Sequence, residues 1–314
     1  MTAERQESQK TPIGTKIYHD NLTAYGGKET MLQRDTKKAA RLAALRNDVK
    51  RKKPLVHCIT NRVTMTDCAN ALLAIGAAPI MSEDRREVEE MVSIVQALVL
   101  NIGTLFPEQV ESMILAGKKA RSLGIPIVFD PVGAGATALR NEVSARILEE
   151  VRPDIIRGNM SEIRALYGFA GATKGVEANI SDAVTMDNAE KVSVVVKELA
   201  RRHRCTVAAT GAVDIISDGA EIIYTANGHE MLCRITGSGC MLSAITAAFA
   251  AVSDGDHLNA VAAAFALMGV AGENAQAACA ETEKGTGTFH TALMDRLDLT
   301  DGSRLKEKCR LFTD

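Results

Sequence analysis

The sequence predicts an α/β fold: a mainly parallel sheet with helices on both faces. Three observations carry that expectation. Short apolar or β-branched runs recur from residue 38 onward, helical patterns separate most of them, and glycine or proline marks many of the joins. Strands apolar on both faces must be covered above and below, and an intervening helix supplies the crossover that a parallel pair requires. At 314 residues, 46% of them hydrophobic, the chain can bury a large core.

The first 37 residues stand apart. They are polar, lack periodicity and a hydrophobic signal-peptide core, and carry acidic residues that a transit peptide avoids. They read as a flexible N-terminal extension, with residues 38–314 forming a single domain. Within that domain the strand candidates are PLVHCIT (54–60), APIM (78–81), ALVLNIG (97–103), IPIVFD (125–130), DIIRGN (154–159) and TVAATG (206–211). Between them, TDCANALLAIG, EQVESMILAGKKARSLG and NEVSARILEEV repeat apolar residues at three- and four-residue spacing, the period of a helix with one buried face. Beyond Gly211, VDIIS and EIIYTA joined by DGA predict a β-hairpin at the sheet edge. Two or three long helices follow, from about 240 to 298.

Composition removes several function classes. A formal net charge of -2 gives no electrostatic case for nucleic acid. No run approaches eighteen consecutive apolar residues, so no membrane span is expected, and MLSAITAAFAAV reads as a buried helix. Seven cysteines without a CxxC pair suggest neither a disulfide framework nor a zinc knuckle, which fits a reducing, cytoplasmic setting. His57, Cys58 and Cys68 come nearest to a ligand cluster, and they read better as core residues.

Ligands of parallel sheets bind where the carboxyl ends of strands meet the following loops. Thr60–Asn61, Met81, Asn101, Asp130, Asn159 and Thr210–Gly211 all fall at such ends. Farther along, the turn Thr236-Gly237-Ser238-Gly239 opens onto a helix with Cys240 at about its first position. Backbone N–H groups of Gly237, Ser238 and Gly239, with the helix N-terminus behind them, would make an anion hole for a phosphoryl group or a developing oxyanion. The competing reading is a glycine turn before a core helix, with Cys240 as packing. No Walker-type G-x-x-x-x-G-K-[ST] loop occurs.

Asp130 ends an apolar strand, where a carboxylate is costly unless paired, solvated or bound to a cation. Glu162 follows on the next βα loop in Asn159-x-x-Glu162, and the two carboxylates would suit a magnesium ion that keeps several waters. Charge complementarity at a helix N-terminus accounts for Glu162 equally well. Gly133-Ala-Gly135-Ala-Thr-Ala138 matches a dinucleotide fingerprint. However, Pro131 interrupts the approach, and the next strand ends in Asn159 rather than an acid.

Taken together, PLVHCITNRVT, APIM, ALVLNIGTL, IPIVFDPVGAGAT, IRGNMSEI, KGVEA, VAATGAVDIISDG, NGHEMLCRITGSGCMLSA and GTGTF resemble the hydroxyethylthiazole kinase family, collinearly from about Lys53 to Leu297. The resemblance implies a ribokinase-like fold and ATP-dependent phosphorylation of 4-methyl-5-(2-hydroxyethyl)thiazole, with Mg2+, in thiamine biosynthesis or salvage. It also implies a homotrimer with each active site between subunits. By motif, Cys240 would take the place of the aspartate that acts as base in most ribokinase-like enzymes, and the helix N-terminus would favour its thiolate. Arg157 and Thr210 would contact ATP. Met81, Gly237 and Asn61 would line the thiazole pocket, and Asp130 and Glu162 would position magnesium and its waters. Arg62 stands where the family usually has an aromatic residue, and Ser82–Glu83 where it has a more apolar, histidine-containing stretch; both lie beside that pocket. One alternative is a pyrimidine or sugar kinase on the same scaffold, against which Cys240 and Asn227-Gly228-His229 speak. The other is a non-catalytic regulator binding thiazole or nucleotide, which the joint presence of Asp130, Glu162, Arg157 and Cys240 disfavours.

Overall fold

A computed structural model of the chain describes residues 35–168, 184–185, 188–280 and 284–313. The KGVEA stretch and residues 1–34 of the expected extension lie outside them. Helix α1 (Thr36–Lys52) starts where the Asp35 carboxylate accepts from Lys38 N at 2.9 Å. Lys50, Arg51 and Lys52 in its last turn oppose the negative end of the helix dipole. The helix therefore begins two residues ahead of the expected boundary at residue 38.

The six predicted parallel strands are all present: β1 (Leu55–Ile59), β2 (Ala78–Ile80), β3 (Ala97–Asn101), β4 (Ile127–Asp130), β5 (Ile155–Asn159) and β6 (Thr206–Thr210). Between them run α2 (Met65–Ile75), the short α3 (Val88–Val92), α4 (Pro107–Leu123), α5 (Ala138–Glu150), α6 (Met160–Gly168) and α7 (Ala189–His203). The predicted hairpin is β7 (Asp214–Ser217) and β8 (Ile222–Thr225), antiparallel to each other and to β6. It is not the edge. β9 (Leu311–Thr313) pairs antiparallel with β8 and takes the outer position, giving the order β2-β1-β3-β4-β5-β6-β7-β8-β9. Asp35 N donates to Leu311 O at 3.3 Å, which ties the start of α1 to this last strand.

On one face of the sheet, α8 (Ser238–Ala250) packs on β1, β3 and β4, and α9 (His257–Ala280) on β6, β7 and β8. Behind them lie α1, α2, α10 (Thr286–Leu299) and α11 (Gly302–Lys308). The opposite face is covered by α4, α6 and α7, with α5 between α4 and α6. By length and composition, helix α9 is long and apolar enough to cross a membrane. Here 83% of its apolar window is buried inside the fold.

Arg46 brings a charge into this interior. Arg46 faces inward from α1 with Leu42, Leu45 and Val49 and is fully buried. Its guanidinium donates to Ile75 O at 2.8 Å, Thr300 O at 2.8 Å and Leu297 O at 3.3 Å. It thereby satisfies carbonyls at the C-terminal ends of α2 and α10 that helix geometry leaves without partners.

Candidate functional site

The sheet order reverses at β1: the chain passes from β1 to β2 on one side, while β3 lies on the other. A crevice opens at the carboxyl ends of strands at such a switch point. The N-terminus of α8 is aimed into it. Gly237 caps that helix with φ 87°, and a Cβ there would stand 2.7 Å from Thr64 Cγ2, so backbone and neighbour both demand glycine. A Cβ at Gly239 would meet Arg157 Nη1 at 2.9 Å. Ser238, Gly239 and Cys240 are the first three helical residues, whose amides have no partner within the helix itself. Cys240 is thus the third helical residue rather than about the first.

The parallel register sets Asn101 beside Asp130. Asn101 Nδ2 donates to Asp130 Oδ2 at 2.7 Å and approaches Cys240 Sγ at 3.3 Å. Asn61, just beyond β1, donates through Nδ2 to the same sulfur at 3.1 Å and to Asn101 Oδ1 at 3.1 Å. Its own Oδ1 accepts from the backbone N and Oγ1 of Thr64, which holds the amide in that orientation. Two carboxamides thus present N–H groups to the Cys240 sulfur.

Asp130 is fully buried. Its Oδ2 also accepts from Ser243 Oγ at 2.7 Å and lies 3.7 Å from Arg157 Nη1, while Oδ1 is buried without a partner. Burial pushes its pKa up to about 6, against the opposing pull of Arg157, Ser243 and Asn101. The charge of Glu162 adds to the rise. Burial and then the Asp130 charge push the Cys240 thiol up as well, more than its amide and hydroxyl donors bring it down. The expectation of a thiolate is overturned on physical grounds: desolvation and a neighbouring carboxylate both oppose a second negative charge.

Arg157 is buried, with Nη2 3.5 Å from Thr210 Oγ1; Thr210 in turn donates to Gly158 O at 3.3 Å. Glu162 is committed to backbone amides. Its Oε1 accepts from Gly133 N at 2.8 Å and its Oε2 from Asn159 N at 2.8 Å, and Glu162 N donates back to Asn159 Oδ1 at 2.9 Å. This reciprocal pair is a capping box at the start of α6. Among the described residues no group of three or more His, Cys, Asp and Glu could hold a metal ion. Met81 follows β2 and packs, partly buried, against the core. His57 is a buried core residue whose Nε2 donates to Ser82 O at 2.8 Å, and Cys58 and Cys68 are likewise buried in the core.

Several residues here carried no role in the sequence. Asn101 was visible only as a polar strand end, since its pairing with Asp130 depends on register. Ser243 lies three residues beyond Cys240, a spacing that shares a helix face. Arg140 donates to Ile102 O, Gly103 O and Val132 O and so braces the loops after β3 and β4. Asp214 accepts from Gly211 N and Thr225 Oγ1 behind the Thr210–Gly211 turn. The two positions flagged beside the pocket, Arg62 and Glu83, are bonded to each other at 2.8 Å.

Known proteins share this arrangement of chain. A sequence model described as the hydroxyethylthiazole kinase family matches residues 46–301. A hydroxyethylthiazole kinase of Clostridium botulinum is 48% identical over 275 residues, covering 87% of this chain and 96% of the relative. One from Methanocella arvoryzae is 47% identical over 259 residues, covering 82% and 93%. Among solved structures, a hydroxyethylthiazole kinase protein from Pyrococcus horikoshii OT3 superposes with a TM-score of 0.77 at 39% identity, covering 87% of this chain and 99% of that one. A ribokinase-like superfamily protein from Enterococcus faecalis V583 reaches a TM-score of 0.55 at 12% identity, covering 87% and 98%, a likeness of fold alone.

Proposed function

The chain belongs to the hydroxyethylthiazole kinase family, and from that premise we propose that it phosphorylates 4-methyl-5-(2-hydroxyethyl)thiazole with ATP, as a step of thiamine biosynthesis or salvage. The observation that carries the site assignment is the convergence of Asn61 and Asn101 amides on Cys240 Sγ, at the N-terminus of α8.

Cys240 Sγ receives the substrate hydroxyl and aims its oxygen at the γ-phosphorus. The O–P bond forms as the bond to the β-phosphate oxygen breaks, and ADP leaves. Charge on the transferring group is met by the amides of Ser238, Gly239 and Cys240 and by Arg157. A sulfur that stays neutral in the empty site suffices, because phosphoryl transfer depends mostly on positioning and charge stabilisation, and the hydroxyl proton can pass late to an oxygen of the transferred phosphoryl group. Thr210 and Arg157 hold the nucleotide side; Asn61, Met81 and Gly237 wall the thiazole side.

Magnesium fits these residues in a limited way. The buried, partnerless Asp130 Oδ1 offers a lone pair, and each Glu162 oxygen, though bonded to an amide, retains acceptor capacity for a metal-bound water. When bound there, the ion would neutralise charge on the ATP phosphates. The fold provides two carboxylates rather than a cage, which suits a cation that keeps several waters.

The reading extends to a homotrimer with sites between subunits, supported by two exposed large apolar residues, Val63 just ahead of α2 and Leu73 within it. It extends also to the cytoplasm, where seven free cysteines are at home. The deciding experiment measures ATP consumption with hydroxyethylthiazole, a pyrimidine alcohol and ribose in parallel. Turnover selective for hydroxyethylthiazole is expected; selectivity for either other alcohol, or none at all, overturns the reading.

A further inference from the structure

We propose that Arg62 and Glu83 form a latch that sets affinity for the alcohol substrate, by fixing the two loops that carry Asn61 and Met81. The proposal rests on the reading of those two residues as walls of the acceptor pocket. Arg62 Nη2 donates to Glu83 Oε1 at 2.8 Å, which joins the loop after β1 to the loop after β2. The same guanidinium lies 4.1 Å over the Phe106 ring, and Arg62 N donates to Thr104 Oγ1 at 3.1 Å, so the loop after β3 is drawn in as well.

An exposed ion pair alone holds little. This one has a buried anchor. Gln109 on α4 is fully buried, and its Nε2 donates to Glu83 Oε2 at 3.1 Å and to Thr60 O at 3.0 Å. Glu83 is therefore gripped from the surface by a guanidinium and from the interior by a carboxamide, both charge-assisted contacts. Asn61 is pinned on each side along the backbone, at Thr60 O by Gln109 and at Arg62 N by Thr104. His57, through Ser82 O at 2.8 Å, fixes the residue between Met81 and Glu83. Arg62 and Glu83 make no hydrogen bond to Cys240, Asp130 or Arg157, so they are positioning residues, expected to act on acceptor binding rather than on phosphoryl transfer.

Steady-state kinetics on Arg62→Ala, Glu83→Gln and the double variant test this, with Met81→Ala as control and thermal melts to establish folding. Each latch variant should raise the KM for hydroxyethylthiazole about tenfold, the scale of one charge-assisted hydrogen bond. The kcat should stay within about threefold and the KM for ATP should not move. The double variant should be no worse than Glu83→Gln, because both single changes open one latch. Acceptor KM unchanged in folded latch variants, multiplying effects in the double variant, or a parallel rise in the KM for ATP would each overturn the proposal. If Met81→Ala alone raises acceptor KM, only the latch falls; if no variant does, the pocket reading beneath it falls too.

Discussion

Cys240 and Asp130 share a single donor nitrogen: Asn101 Nδ2 lies 3.3 Å from the sulfur and 2.7 Å from the carboxylate. The two acidic groups are therefore coupled electrostatically as well as by hydrogen bonding: burial first, and then the carboxylate, raises the thiol. In a Cys233→Ser background, which removes the exposed thiol, Asp130→Asn should speed iodoacetamide labelling of Cys240 at pH 8 roughly severalfold, because the thiolate fraction rises as the repelling charge goes. Peptide mass mapping of the alkylated site reads the rate. Equal or slower labelling would break the electrostatic link.

Cys240→Ala should keep ATP affinity, since the backbone turn and Arg157 remain, while kcat falls by ~10²-fold or more, the scale of a misplaced attacking group. Cys240→Asp should retain clear activity, its carboxylate accepting from Asn61 and Asn101 where the sulfur now does. Nucleotide binding by calorimetry and kcat by ATP consumption separate the two effects. An alanine variant turning over at the wild-type rate would leave Cys240 with packing alone.

Arg46→Met should destabilise the fold by about 3 kcal/mol or more, because carbonyls of Ile75, Leu297 and Thr300 would be left buried and unbonded. That corresponds to a fall in Tm of roughly 6 °C or more. The site lies elsewhere, so kcat of the folded variant should be unaffected. A melt within 1 °C or so of wild type would show that water reaches these carbonyls.

Burial raises Asp214 to about 7 from an ordinary 3.8, against the bonds from Gly211 N and Thr225. A carboxyl whose folded pKa exceeds its unfolded value takes up a proton on folding between the two. Its contribution to stability is complete below about pH 4 and is lost as the pH rises through 7. Asp214→Asn should therefore show a smaller drop in Tm between pH 5 and pH 8 than wild type does. Parallel curves would assign the pH dependence to other groups.

Truncations should distinguish the two possible starts of the domain. Removing residues 1–34 keeps the Asp35 cap; removing 1–37 deletes that cap and the first residues of α1. The shorter protein should be less stable by about 1 kcal/mol or more, the usual cost of a lost N-cap. Denaturant titration of the two forms measures it, and equal midpoints would show the cap to be idle.

The parallel strands were legible because burial on both faces writes itself as unbroken apolar runs, as in Ile127–Phe129. β9 was not, since three residues at an edge carry no period to detect. Arg46 was hidden differently. An arginine four residues after Leu42 and three before Val49 reads as a border residue, although it falls on the buried face. At the site, Cys240, Asp130 and Asn61 could be picked out from strand ends and a glycine turn, and the structure brings these three together. What joins them could not be read, because Asn101 reaches Asp130 through strand register and Ser243 through helix phase. The charge state of Cys240 was misread for the same reason: the carboxylate that opposes ionisation lies 110 residues away along the chain.

The bond from Asp35 N to Leu311 O has a consequence for how the protein is made. The partners of α1 include α8, α9, α11 and β9, all late in the sequence. At ribosomal rates of about 5–20 residues per second, α1 emerges roughly 15 s to 1 min before β9 exists. For that interval the apolar side of a nascent helix, with Leu42, Leu45 and Val49 on it, has nothing to cover it. Such a surface is a natural substrate for ribosome-associated chaperones, and a permuted gene that synthesised residues 35–52 last would shorten its exposure.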